Sequence, residues 1–255
     1  MDILKGLDLI NPTKDMVTFV GGGGKTTTMF LMASKLKELN KKILVTTTTA
    51  IYYPRNNQYD EIIIDSDYDI EKFKGIKAGK VYVLGRSINK DNKLMGIEPD
   101  VIDRIFNAEA FDVILVEADG AKGKPIKAPA AHEPVIPQNT TKNVGIIGLD
   151  CINKRINNSI VHRPQQLCSV TGSIMNDIIT PKKVEMLILH NNGIMKNLPE
   201  NSTGYVLLNK AEGERYLQGM EVVKLLKDKK PPIKKIIICS IKDESPVKYW
   251  RDFND

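Results

Sequence analysis

Cysteine is scarce and odd in number. Cys151, Cys168 and Cys239 stand far apart, so they form neither a disulfide framework nor a CxxC metal site. Aromatic residues make up 6% of the 255 residues, with a single tryptophan, and none interleaves with the basic residues as a base-stacking platform requires. Long hydrophobic runs are missing as well. The longest, Met29 to Ala33, is far short of the roughly 20 residues of a membrane span. Asp2, Asp8 and Asp15 interrupt the N-terminal stretch, so a secretory signal is not expected and a cytoplasmic location is. Charge of either sign is in small excess only: 37 Lys and Arg against 31 Asp and Glu give +6. The densest basic cluster, Lys227, Lys229, Lys230, Lys234 and Lys235, is split by Pro231 and Pro232 and reads as a solvated loop. Neither a membrane nor a nucleic acid is an expected partner.

What is present is the composition of a packed protein, 42% hydrophobic and 27% charged. The length suits one domain over 1–255. Met16–Val20 is a short β-branched run that ends in glycines, as a buried strand does on entering a tight loop. Met29, Met32, Ala33 and Leu36 then recur with helical spacing. Further strands are expected at Lys41–Thr46, Glu61–Asp65, Lys80–Leu84, Asp112–Glu117, Asn143–Leu149, Gly204–Leu208 and Lys235–Ser240. Most are continuous apolar runs, as in strands covered on both faces. Helical patterns lie between several of them, at Asp100–Ala108, Pro181–Asn191 and Glu214–Asp228. This alternation predicts an α/β fold: a doubly wound, mainly parallel sheet with helices on both faces. Ligands of such sheets bind beyond the carboxyl ends of the strands. Residues 120–143 are rich in Gly, Lys, Pro and Ala without periodicity, a long loop, and 156–198 is read as a helical insertion.

The first strand delivers Gly21, Gly22, Gly23, Gly24, Lys25, Thr26 and Thr27. Glycines let several main-chain N–H groups turn toward one anion, and the next helix adds its positive N-terminal end. In such a loop Lys25 reaches the β- and γ-phosphates and the Thr26 hydroxyl ligates Mg²⁺. Phe19 stands where the strict phosphate-loop pattern has its first glycine, so this loop is a variant whose first glycine lies closer. Asp112–Glu117 presents an acid after four apolar residues. Glu117 is placed to hold Mg²⁺ beside Thr26, with Asp119 two residues on and the Gly120 N–H available to a γ-phosphate. Thr46–Thr49 ends the second strand; β-propensity accounts for it as well as a hydroxyl contact to Mg²⁺ or phosphate does, Thr48 and Thr49 being nearest the exit. Lys122, Lys124 and Lys127, with His132 and Glu133, lie in the Gly/Pro loop, where they could close over an anion or poise a proton acceptor; for any single Lys the solvated surface reading is preferred, whereas His132 and Glu133 are expected to be functional. Arg55, Arg86 and Arg163 each offer a charge-neutralising guanidinium, but the surface reading is preferred for all of them. Asn209, Lys210 and Glu212 follow a strand as Asn-Lys-x-Asp does in guanine-specific proteins, with Glu where Asp is usual, so ATP and GTP both remain open.

With these motifs the chain resembles the YqeC family of selenium-dependent hydroxylase accessory proteins. The likeness rests on Gly21–Thr27, on Val116–Ala121 and on Lys127–Pro137, and continues through His162–Pro164 and Asn209–Lys210. Glu117-x-x-Gly120 also resembles the Glu-x-x-Gly motif of metallochaperone GTPases among phosphate-loop proteins. The resemblance implies a phosphate-loop NTPase fold and a nucleotide-dependent maturation factor for selenium-dependent molybdenum hydroxylases, acting in selenium cofactor assembly or insertion. Its expected partners are such a hydroxylase or its maturation proteins, and by analogy with related nucleotide switches a second copy of the chain. Two alternatives stand beside hydrolysis: a small-molecule kinase using the same loop, and a binding module that orders a partner surface without hydrolysis.

Overall fold

Met16–Val20 lies at the heart of a nine-stranded sheet in the computed structural model, which describes residues 2–65, 73 and 75–254. The chain runs through α1 (Ile3–Gly6), β1 (Asp15–Gly21), α2 (Lys25–Glu38), β2 (Lys42–Thr47), β3 (Ala50–Tyr52), β4 (Glu61–Ile64) and β5 (Lys80–Gly85). Next come β6 (Ser87–Ile88), β7 (Lys93–Met95), α3 (Pro99–Asn107), β8 (Val113–Glu117), β9 (Ile126–Lys127) and β10 (Lys142–Gly148). Then follow β11 (Val161–His162), α4 (Pro164–Thr171), α5 (Pro181–Leu189), β12 (Thr203–Asn209), α6 (Arg215–Leu226), β13 (Lys235–Cys239) and β14 (Val247–Asp252). The large sheet has the order β14-β13-β12-β10-β1-β8-β2-β5-β4 and is parallel except for β14.

Alternate side chains of each central strand enter opposite cores. Val17 and Phe19 of β1 pack with Met29, Met32, Ala33 and Leu36 of α2 on one face. Met16 faces the cluster with α3, while Val20 faces the one with α4, α5 and α6. The sheet is therefore an α/β sheet covered on both sides, as the continuous apolar runs predict. The segment 156–198 holds β11, α4 and α5. The aperiodic 120–143 stretch pairs Ile126–Lys127 with Val161–His162, and Ile126, Lys127 and Ala128 are buried.

Register decides which residues meet. Phe19 pairs with Glu117, Thr47 with Glu117, and Gly21 with Ile146. The carboxyl ends of β1, β8, β2 and β10 therefore converge in front of the α2 N-terminus. At the far edge, Lys235 of β13 places its ammonium 5.2 Å from the centre of the Trp250 ring on β14. No helix among the described residues is long and apolar enough to cross a membrane.

Candidate phosphate-binding site

Between β1 and α2 the chain turns through three glycines with positive φ: Gly21, Gly23 and Gly24. A side chain on Gly23 would collide with the main chain of Gly148, and one on Gly24 would lie 2.6 Å from Asn209 Nδ2. The loop's early amides are spent inside the protein. Gly21 N–H donates to Asp119 Oδ2 (3.0 Å), Gly22 N–H to Ile146 O (2.8 Å) and Gly23 N–H to Lys124 O (2.9 Å). Thr28 N–H makes the first bond into the helix, to Gly24 O. The amides left for an anion are thus those from Gly24 to Thr27, with the helix dipole behind them.

Lys25 opens α2 with a side chain only 4% exposed. Its Nζ donates to Gly21 O (2.7 Å) and lies 3.1 Å from Asp119 Oδ1 and 3.6 Å from Glu117 Oε1. Burial works against its charge, but Asp119 and Glu117 outweigh that and hold the ammonium above its ordinary pKa. Thr26 Oγ1 donates to Glu117 Oε2 at 2.6 Å. Burial pushes the Glu117 carboxyl above the usual range, against the pull of Lys25 and the Thr26 hydroxyl. Among the described residues, Asp119 Oδ1 is buried without a hydrogen bond and lies beside the Lys25 ammonium.

Behind Asp119 runs a line of alternating charge. Lys127, with a side chain 0% exposed, sends its Nζ to Asp119 Oδ2 (2.9 Å), Gly120 O (2.7 Å) and Glu133 Oε2 (2.8 Å). Glu133 is gripped from its other side by Arg163, through Nε to Oε2 (3.1 Å) and Nη2 to Oε1 (2.7 Å). These partners overcome burial and bring the Glu133 carboxyl down to about 2. His162, beside them, is lowered to about 4 by burial and by the charges of Lys127 and Arg163. The surface reading of Arg163 and the solvated reading of Lys127 are thus both corrected: Arg163 is partly buried on Glu133, and Lys127 is fully buried between two carboxylates. The available signal was Lys127 standing between Ile126 and Ala128, a lone charge in an apolar stretch.

The other expected residues are placed differently. Thr46 Oγ1 donates to Leu84 O, Thr47 Oγ1 to Glu117 O and Thr48 Oγ1 to Val135 O. The hydroxyl of Thr48, expected to reach phosphate or Mg²⁺, thus ties the exit of β2 to the 134–137 segment, and that of Thr47 serves the sheet. Asn209 donates from Nδ2 to Gly23 O (2.8 Å) and accepts Ile241 N–H (3.1 Å), so it anchors the glycine loop. Lys210 pairs with Asp150 (2.6 Å) and Glu212 with Arg215 (2.9 Å). Gly120 gives its carbonyl to Lys127, and a Cβ there would meet no atom within 4 Å. His132 is exposed, and Arg86 pairs with Glu98 on the surface. Thr26 and Thr27 open onto a cleft of about 1140 Å³ along α2, walled by Tyr53, Tyr59 and Arg55 and reached by Lys242.

A parallel α/β sheet, a glycine loop feeding a helix, a buried lysine at the helix start and an acid on the neighbouring strand define a protein of the phosphate-loop class. A family model described as "YqeC protein" matches residues 17–165, more than half of the chain. The chain belongs to the YqeC family. The "Uncharacterized protein YqeC" of Escherichia coli (strain K12) is 31% identical over 118 residues, 46% of this chain and 46% of that protein, so the match spans just under half the length of that relative. Among solved structures, the MinD cell division protein of Aquifex aeolicus matches with a TM-score of 0.40 and 16% identity, over 88% of this chain and 81% of that one. The MinC:MinD cell division protein complex of the same organism gives 0.43 and 12%, over 90% and 83%.

Proposed function

We propose that this chain binds a nucleoside triphosphate with Mg²⁺, hydrolyses it, and uses the cycle to mature a selenium-dependent molybdenum hydroxylase in the cytoplasm. The observation that carries the nucleotide part is the buried Lys25 at the start of α2, beside the bonded Thr26–Glu117 pair. The amides from Gly24 to Thr27 and the Lys25 ammonium receive the β- and γ-phosphate oxygens. Thr26 and Glu117 offer a hydroxyl and a carboxylate 2.6 Å apart, the hard oxygen donors that suit Mg²⁺, whose remaining ligands are phosphates and water. When bound, that ion neutralises charge on the β and γ oxygens.

Asp119 Oδ1, buried without a hydrogen bond, is the acceptor that orients the attacking water once Lys25 turns to phosphate. Water oxygen bonds to the γ-phosphorus as the bond to the β–γ bridging oxygen breaks, leaving inorganic phosphate and the diphosphate. Positioning and charge stabilisation supply the acceleration. The hydroxylase partner rests on membership of the YqeC family and the likeness to accessory proteins that goes with it; a homodimer is part of the same proposal. A panel of nucleoside triphosphates with Mg²⁺, scored by calorimetry and phosphate release, tests it. Lys25→Ala is expected to abolish tight triphosphate binding, and unchanged affinity overturns the phosphate-loop assignment.

Phosphoryl transfer to a small anionic acceptor is a second reading, favoured by the cleft that opens at Thr26 and Thr27 and carries Arg55 and Lys242. A phosphorylated metabolite in place of free phosphate would select it.

A further inference from the structure

Lys25 is claimed twice. A triphosphate needs its ammonium turned toward the helix N-terminus, yet Nζ is held on Gly21 O, Asp119 and Glu117. Releasing it strips a cation from Asp119, whose side chain is 2% exposed. A buried carboxylate left without a counter-charge is costly enough to hold Lys25 back. Lys127 changes that balance. It lies on the same carboxylate from the other side, fully buried, 2.9 Å from Oδ2. Its other bonds go to Gly120 O and to Glu133, which Arg163 grips in turn. With Lys25 gone, Asp119, Lys127, Glu133 and Arg163 still alternate in sign and sum to zero. Asp119 also keeps the Gly21 N–H bond. All four residues fall within the stretch matched by the YqeC family model.

We propose that Lys127 is a positioning residue that acts through Asp119: as the standing counter-cation of that carboxylate, it frees Lys25 to move onto a polyphosphate. Its ligand class is that of the Proposed function, on which it rests: a triphosphate chain, with or without a nucleoside. Glu133 and Arg163 hold Lys127 in place and satisfy its far side.

A double-mutant cycle on affinity tests this, using the full chain, Mg²⁺, and both the tightest nucleoside triphosphate and inorganic tripolyphosphate as probes. Lys127→Met is expected to weaken both probes about tenfold, the size of a strongly coupled pair. In the Asp119→Asn background, the same Lys127→Met change is expected to cost less than about twofold, because the carboxylate that Lys127 neutralises is gone, while Glu117 faces Lys25 equally in both backgrounds. Wild-type affinity in Lys127→Met, or an equal loss in both backgrounds, overturns the proposal. If thermal melts show Lys127→Met unfolded, Lys127→Gln takes its place in the same cycle, and the same two outcomes overturn the proposal. Lys25→Ala run in parallel separates the two levels. Retained affinity in that variant sinks the phosphate-loop assignment, whereas lost affinity together with additive Lys127 and Asp119 effects sinks only the role given to Lys127.

Discussion

Thr26 and Glu117 are 91 positions apart in sequence and share one hydrogen bond. Glu117→Gln keeps the shape but loses the charge that suits a divalent ion. The expected outcome is near-normal nucleotide binding with phosphate release slowed on the order of a hundredfold, measured by calorimetry and a phosphate assay. Asn209 makes a different prediction. Its amide bridges Gly23 O and Ile241 N–H, both buried. Asn209→Ala leaves both unpartnered and is expected to lower stability by about 1–3 kcal/mol in urea denaturation. Its ATP-to-GTP preference should stay unchanged, since the side chain serves the loop. A shifted base preference in that variant would restore the guanine-reading role suggested by the Asn-Lys motif.

The glycine loop is the element on which these residues depend. Gly24 has φ near +131° and no room for a Cβ beside Asn209, whereas Gly120 has open space around it. Gly24→Ala should therefore weaken both folding and triphosphate binding, while Gly120→Ala should leave thermal stability close to wild type; paired melting curves and titrations check both. Strands of this kind are legible in sequence because a doubly covered strand is a run of apolar residues. That pattern places Asp112–Glu117 and Lys235–Ser240 within one residue of β8 and β13. The small elements were not. β9 and β11 have two residues each and pair across 35 positions, so no local periodicity marks them. α4 begins after Arg163 in a left-handed conformation, without a side-chain cap, and offers no start signal beyond Pro164. The site was half legible for the same reason. Gly21–Thr27 and Glu117 are motif-bearing and local, whereas the Lys127–Glu133–Arg163 line is made by tertiary contact. The spent amides of Gly21, Gly22 and Gly23 likewise depend on partners from β10, Asp119 and the 124–126 loop.

Acid should loosen the whole molecule in two stages. Glu133 has a folded pKa of about 2, below its ordinary 4.5, so its contribution is complete above about pH 4.5 and is lost as pH falls toward 2. His162 is held near 4 rather than 6.5; the unfolded chain takes up that proton first, so stability also declines as pH falls from 6.5 to 4. Both slopes have the same sign. Denaturation midpoints should fall gently below pH 6.5 and more steeply below 4.5. His162→Gln should flatten the upper limb and Arg163→Met the lower one; a midpoint constant from about pH 6.5 to 4.5 would contradict the first, and one constant from about pH 4.5 to 2 the second.

The placement of Trp250 has a practical consequence for all such titrations. It is the single tryptophan, carried on the antiparallel border strand four strands from β1, a separation of about 19 Å. Its ring lies against the Lys235 ammonium, so its emission is expected to respond to how firmly that border stays zipped. Ultraviolet-excited fluorescence will therefore track global melting cleanly yet stay nearly silent when the glycine loop fills, so occupancy is better followed with a labelled ligand or a dye placed beside α2.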